Sequence, residues 1–101
     1  MIKAIFERSD GKFKGFSVSG HSGYSRSGSD IVCASVSSAV MLICNLATET
    51  YGFSTEINAG DSSISMKAHD DASKLIEALY EHLKSIAEEY PKNITVKISE
   101  V

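Results

Sequence analysis

Residues 31–48 read Ile31-Val32-Cys33-Ala34-Ser35-Val36-Ser37-Ser38-Ala39-Val40-Met41-Leu42-Ile43-Cys44-Asn45-Leu46-Ala47-Thr48, 18 residues without a charge between Asp30 and Glu49. Val32, Val36, Val40, Ile43 and Ala47 recur at three- and four-residue spacing, the period of an α-helix with one face in a core. Met41 and Leu42 extend the apolar character beyond that face, so the helix is expected to be covered on several sides, in part by a second subunit. The run is also about as long as a membrane span. Ser35, Ser37, Ser38 and Asn45 interrupt it and sheet-forming segments flank it, which points to a buried core helix and no membrane. Gly52 falls where a chain leaves a helix with positive φ.

Toward the N-terminus, Ile2–Arg8 and Phe13–Val18 flank the turn Ser9-Asp10-Gly11-Lys12 and predict a hairpin. In the second of these strands, Phe13, Gly15 and Ser17 alternate with Lys14, Phe16 and Val18. Toward the C-terminus, Ser54–Ala59 and Ser62–Ala68 flank Gly60-Asp61 and predict a second hairpin. Asp70 is a candidate cap for a second helix with the apolar stripe Leu75, Ile76, Leu79, Leu83, Ile86, Ala87 and Tyr90. Pro91 ends that helix, and Ile94, Val96 and Ile98 alternate with polar residues in a last strand. The order is ββαββαβ. Hairpins imply antiparallel pairing, so the expected fold is a two-layer α+β sandwich with a mainly antiparallel sheet and two helices.

The 101 residues are expected to form one domain, 1–101, with one core and one surface site. A net charge of -3 and scattered lysines argue against direct nucleic-acid binding. Met1 leads straight into an alternating segment, so no secretory leader is expected. Cys33 and Cys44 are eleven positions apart on one helix, hence about 16 Å apart and too far for a bridge. Two reduced thiols fit the cytoplasm.

Chemistry concentrates in Gly20-His21-Ser22-Gly23-Tyr24-Ser25-Arg26-Ser27-Gly28-Ser29-Asp30-Ile31-Val32-Cys33. With Asp30 or Ser29 as the N-cap, Cys33 falls in the first helical turn, where unpaired amides favour thiolate and could hold an oxyanion. His21 on the facing loop could take the thiol proton and return it. Asp30 either caps the helix or orients His21. Ser37, one turn after Cys33, either bonds near the thiol or is a small residue beneath the loop. Gly20, Gly23 and Gly28 either bring main chain close to a ligand or merely bend the loop. On the residues alone, a cysteine and a histidine twelve positions apart also fit a chance pairing with an inert buried thiol.

His21, Cys33, His69 and His82 lack the paired spacing of zinc ligands, so no metal or other cofactor is expected. His69 and His82 read as surface residues, and Cys44 as packing. Glycines before a helix suggest a phosphate loop, but the P-loop lysine is missing and Asp30 repels anions there.

Gly20-His21-Ser22-Gly23-Tyr24, followed by Gly28-Ser29-Asp30-Ile31-Val32-Cys33-Ala34-Ser35-Val36-Ser37, resembles the ribosomal-processing cysteine protease Prp family, and the resemblance spans essentially the whole chain. It implies a cysteine nucleophile at Cys33, a histidine base at His21, and supporting roles for Asp30 and Ser37. It further implies a homodimer whose substrate is the N-terminal extension of large-subunit ribosomal protein twenty-seven, cut after Phe-Phe and before Ala. A pocket for the two aromatic side chains is expected around Gly20, Gly23 and Tyr24 and at the dimer edge. Where the family has Ala, this chain has Ser at 22, 25 and 35, exchanges that touch no catalytic position. A non-catalytic module that binds a ribosomal protein is the alternative, and a redox-sensing thiol protein a third reading.

Overall fold

The computed structural model describes residues 1–20 and 27–101, with residues 27–30 as backbone. Five strands form one sheet in the order β3-β4-β2-β1-β5. They are β1 (Ile2–Ser9), β2 (Lys12–Ser19), β3 (Thr55–Ala59), β4 (Ser63–Ala68) and β5 (Ile94–Glu100). The helices are α1 (Ser27–Asn45), which runs into a turn of π-helix at Leu46–Thr50, and α2 (Ser73–Glu89). Pairing is antiparallel except between β1 and β5, which α2 makes parallel by carrying the chain from one side of the sheet to the other. The α+β sandwich expected from the sequence is the fold observed.

One face of the sheet is apolar. Ile2, Ala4 and Phe6 of β1, Phe16 and Val18 of β2, Met66 of β4 and Ile94 of β5 are buried. They share one core with Val32, Val36, Val40 and Ile43 of α1 and Ile76, Leu79 and Leu83 of α2. These are the residues at helical spacing in the sequence. The opposite face of α1 is not covered in the single chain, where Ile31, Met41 and Leu42 are 56%, 60% and 59% exposed. Gly52 takes the positive φ expected of it, 65°.

Four local expectations are corrected. Strict alternation would put Phe13 and Phe16 on opposite faces of β2, yet both are buried. A bulge achieves this: Glu7 pairs with Gly15 and Arg8 with Phe13, leaving Lys14 as the extra residue. Gly15 is needed beside the bulge, because a Cβ there would lie 2.4 Å from the Met66 carbonyl oxygen of β4. The Phe13 amide donates instead to Ser73 Oγ, 2.9 Å away at the start of α2.

The second hairpin turns one residue later than expected. The Gly60 amide donates to the Ser63 carbonyl at 2.8 Å, so Asp61-Ser62 is the tip. Asp70 does not cap α2; it accepts from the Ser54 amide at 2.7 Å. The tight turn that buries Ala72, with its amide on the Asp70 carbonyl at 2.9 Å, carries the Asp70 side chain away from the helix start. Asp71 takes over near it, accepting from the Ser73 amide at 3.2 Å and from Lys12 Nζ at 3.0 Å.

Finally, α1 starts at Ser27, so Asp30 lies inside the helix and is not its N-cap. The first four amides of a helix have no internal partner in any case, which makes Ser27, Gly28 and Ser29 inexpensive there.

Candidate active site

The earlier start of α1 makes Cys33 its seventh residue rather than its third. The unpaired amides of the helix belong to residues 27–30, a turn upstream of Cys33, and the field of the helix start fades within that turn. Any oxyanion donors beside Cys33 must therefore come from elsewhere than its own amide, which is committed to the helix.

What distinguishes Cys33 is its position. Its half-buried side chain opens on a groove of about 400 Å³. Val36, Ser37, Val40 and Met41 continue this wall along α1. Ile2, Val18 and Gly20 close the groove from the end of the sheet, and Ala59 to Ile64 close it from the second hairpin. Cys33, Ser37 and Met41 are spaced i, i+4, i+8 and share one helical face. The Ser37 hydroxyl is thus held one turn from the thiol, on the groove side.

Gly20 fixes the floor. Its φ is +89°, and a Cβ on it would lie 2.4 Å from the Met1 carbonyl oxygen. Its amide donates to the Ser62 carbonyl at 2.9 Å, which ties the end of β2 to the second hairpin. Gly20 therefore has a structural reason to be glycine at the place where the sequence suggested contact with a ligand.

Cys44, the other thiol, is enclosed in the core, and no disulfide joins the two cysteines. Burial pushes the Cys44 thiol up, toward its neutral, unreactive form. His69 Nε2 lies 2.6 Å from Glu56 Oε2 on the surface, away from the Cys33 groove, and His82 is exposed on α2. Of the expected site residues, the groove brings together Gly20, Cys33 and Ser37. His21, Gly23 and Tyr24 lie outside the described residues, as does the side chain of Asp30. Sequence reasoning missed Met41 and Asp61 as groove residues. Met41 was available from the i+8 spacing; Asp61 comes in only through the pairing of β4 with β2.

A half-buried cysteine on a groove at one end of an α+β sandwich is an arrangement that suits a small thiol enzyme. The family model of cysteine protease Prp matches residues 1–95, and the chain belongs to that family of cysteine proteases. It is 29% identical over 107 aligned positions to the ribosomal processing cysteine protease Prp of Bacillus subtilis, covering 95% of this chain and 96% of that protein. Among solved structures, it is similar to the essential ribosomal processing protease Prp from S. aureus in complex with a covalently linked product peptide. That match has TM-score 0.87 and 25% identity, covering 98% of this chain and 100% of the other. The Streptococcus mutans protein SMU.848 matches with TM-score 0.82 and 27% identity, covering 100% and 96% respectively.

Proposed function

We propose that this protein is an endopeptidase that removes the N-terminal extension of large-subunit ribosomal protein twenty-seven, cutting after Phe-Phe and before Ala. One observation carries the reading: in a cysteine protease family chain, Cys33 is the thiol that opens on a groove, while Cys44 is sealed in the core. The ribosomal-processing names of its relatives, one of them with a covalently linked product peptide, support it.

In the proposed mechanism, His21 takes the proton of Cys33, and the thiolate sulfur attacks the carbonyl carbon of the second Phe. The tetrahedral intermediate collapses as the C–N bond breaks. Protonated His21 gives its proton to the departing Ala amine, leaving a thioester on Cys33. Water, deprotonated by His21, then attacks the thioester, releasing the Phe carboxylate and restoring the thiol. Asp30 is assigned to orient His21, a role that its place inside α1 leaves it in preference to capping. Ser37 donates a hydrogen bond within the groove, one turn from the sulfur. Gly20, Gly23 and Tyr24 contact the substrate, and the apolar walls from Val36, Val40 and Ile64 suit its aromatic side chains.

The exposed face of α1, with Ile31, Met41 and Leu42, supports a homodimer. We place the enzyme in the cytoplasm, where ribosomal proteins are made and thiols stay reduced. The test is cleavage of a peptide spanning Phe-Phe-Ala. Wild type should cut that bond, and Cys33→Ala should lose at least about a thousandfold in kcat/KM. Cleavage that survives Cys33→Ala overturns the nucleophile. Stable association without product supports a binding module instead.

A further inference from the structure

The walls of the Cys33 groove are largely apolar, from Ile2 and Val18 on the sheet to Val40 and Met41 on α1, with Ser37, Ser62 and Ser63 as the neutral polar residues. Among the described residues, one ionisable side chain besides Cys33 lines it: Asp61, at the tip of the second hairpin. Asp61 is exposed and takes part in no hydrogen bond or ion pair among the described residues. The next acids along the chain are engaged in the fold, Asp70 with the Ser54 amide and Asp71 with Lys12 and the Ser73 amide. Among the described residues, no hydrogen bond or ion pair uses the Asp61 carboxylate.

Its place is nevertheless fixed. The Gly60 amide closes the turn onto the Ser63 carbonyl at 2.8 Å, and Gly20 holds Ser62 at 2.9 Å from the neighbouring strand. An anion held on the rim of a largely apolar groove attracts a cation more strongly than one on open surface, because the walls exclude part of the water. The α1 wall runs from Cys33 to Met41, eight residues and about 12 Å. An extended peptide covers that length in about four residues.

We propose that Asp61 is a specificity-determining residue, selecting substrate peptides that carry a cationic group within four residues of the bond cut by Cys33. The inference rests on the endopeptidase reading. It also fits the partner class, since a chain of net charge -3 is suited to a basic protein. The cation is either a Lys or Arg side chain or the free amino terminus of a short substrate.

The experiment scans a single Lys through the four positions on each side of Phe-Phe-Ala in an otherwise neutral peptide. Each peptide is made with a free and with an acetylated N-terminus. At one or two positions, Lys should raise kcat/KM about threefold to tenfold over the neutral peptide, mainly through KM. That ratio should fall toward one in Asp61→Asn and in Asp61→Ser, both compatible with a turn. Asp61→Lys should reverse the preference toward Glu at the same position, and raised salt should weaken it. A preference that follows the free amine and not the scanned Lys assigns the contact to the substrate terminus.

The same peptides, fluorescently labelled, are titrated into Cys33→Ala protein with and without Asp61→Asn. This reads the charge contact without turnover and separates the two claims. Wild type that cuts no peptide overturns the endopeptidase reading, whatever the binding ratios. A flat scan in both assays, or a preference that Asp61→Asn leaves intact, overturns the role of Asp61.

Discussion

The Gly20 amide donates to the Ser62 carbonyl across 2.9 Å, joining the end of β2 to the hairpin that lines the Cys33 groove. Strand pairing alone would end at Ser19 and Ser63. This one further bond sets the separation between the sheet end and the groove wall. It needs a backbone with φ of +89° and no side chain, because the Met1 carbonyl oxygen occupies the space of a Cβ.

Gly20→Ala is therefore expected to cost about 2 kcal/mol or more, from the left-handed backbone and the clash with main chain. The urea midpoint should fall, and kcat/KM for the Phe-Phe-Ala peptide should fall with it. Gly60→Ala is the control. Its Cβ would meet only the flexible Ser63 Oγ, at 3.1 Å, so its cost should stay within about 0.5 kcal/mol. Equal losses in the two variants would show that the Gly20 backbone is not special.

The two thiols should separate by accessibility and by pH. In native protein, iodoacetamide should modify Cys33 and leave Cys44 untouched until urea unfolds the chain. Burial raises the folded thiol of Cys44 above its unfolded value, so the folded state keeps the proton longer as pH rises. Its contribution to stability is complete below the unfolded thiol range and declines as pH climbs through the folded one. The urea midpoint of wild type should thus drop more steeply between about pH 8 and pH 10 than that of Cys44→Ala. Parallel curves would remove Cys44 as the cause.

Phe6 holds the aromatic centre of the core. It is fully buried, with ring centroids of Phe13, Phe16 and Tyr80 at 6.1, 5.8 and 5.4 Å. Phe6→Ala should destabilise by about 3–5 kcal/mol, a large part of the stability of a domain this size. Phe6→Leu keeps most of the volume and should lose markedly less. Calorimetry of the pair measures the difference.

Leu42 lies on the exposed side of α1, with Ser38, Ala78 and His82 around it. If a second copy covers this face, Leu42→Glu places a charge in an apolar interface and should shift the mass in light scattering from dimer to monomer. A wild type that is monomeric at every concentration tested would refute the dimer.

Much of the fold was legible because its determinants are local. Val32, Val36, Val40 and Ile43 announce α1, and Ile76, Leu79 and Leu83 announce α2. The turn Asp10-Gly11 and Pro91 mark boundaries that the structure keeps. The misreadings share one cause. Alternation puts Phe13 and Phe16 on opposite faces, but a bulge at Lys14 turns Phe13 inward. Asp70 has the right residue type for a cap, yet burial of its neighbour Ala72 sent it to Ser54. In each case a tertiary contact outweighed a local preference worth about 1 kcal/mol.

The sequence by itself determined which segments are helix and strand, and which cysteine sits in a motif resembling a protease site. Periodicity and motif act over neighbouring residues, so one chain suffices to read them. The tertiary structure decided that Cys33 opens on a groove while Cys44 is sealed, and that Met41 and Asp61 belong to that groove. It also set the start of α1 at Ser27, which moves Cys33 away from the helix end. These depend on pairing β2 with β4 and on packing α1 over the sheet. Such contacts join residues tens of positions apart, where no local pattern carries the information.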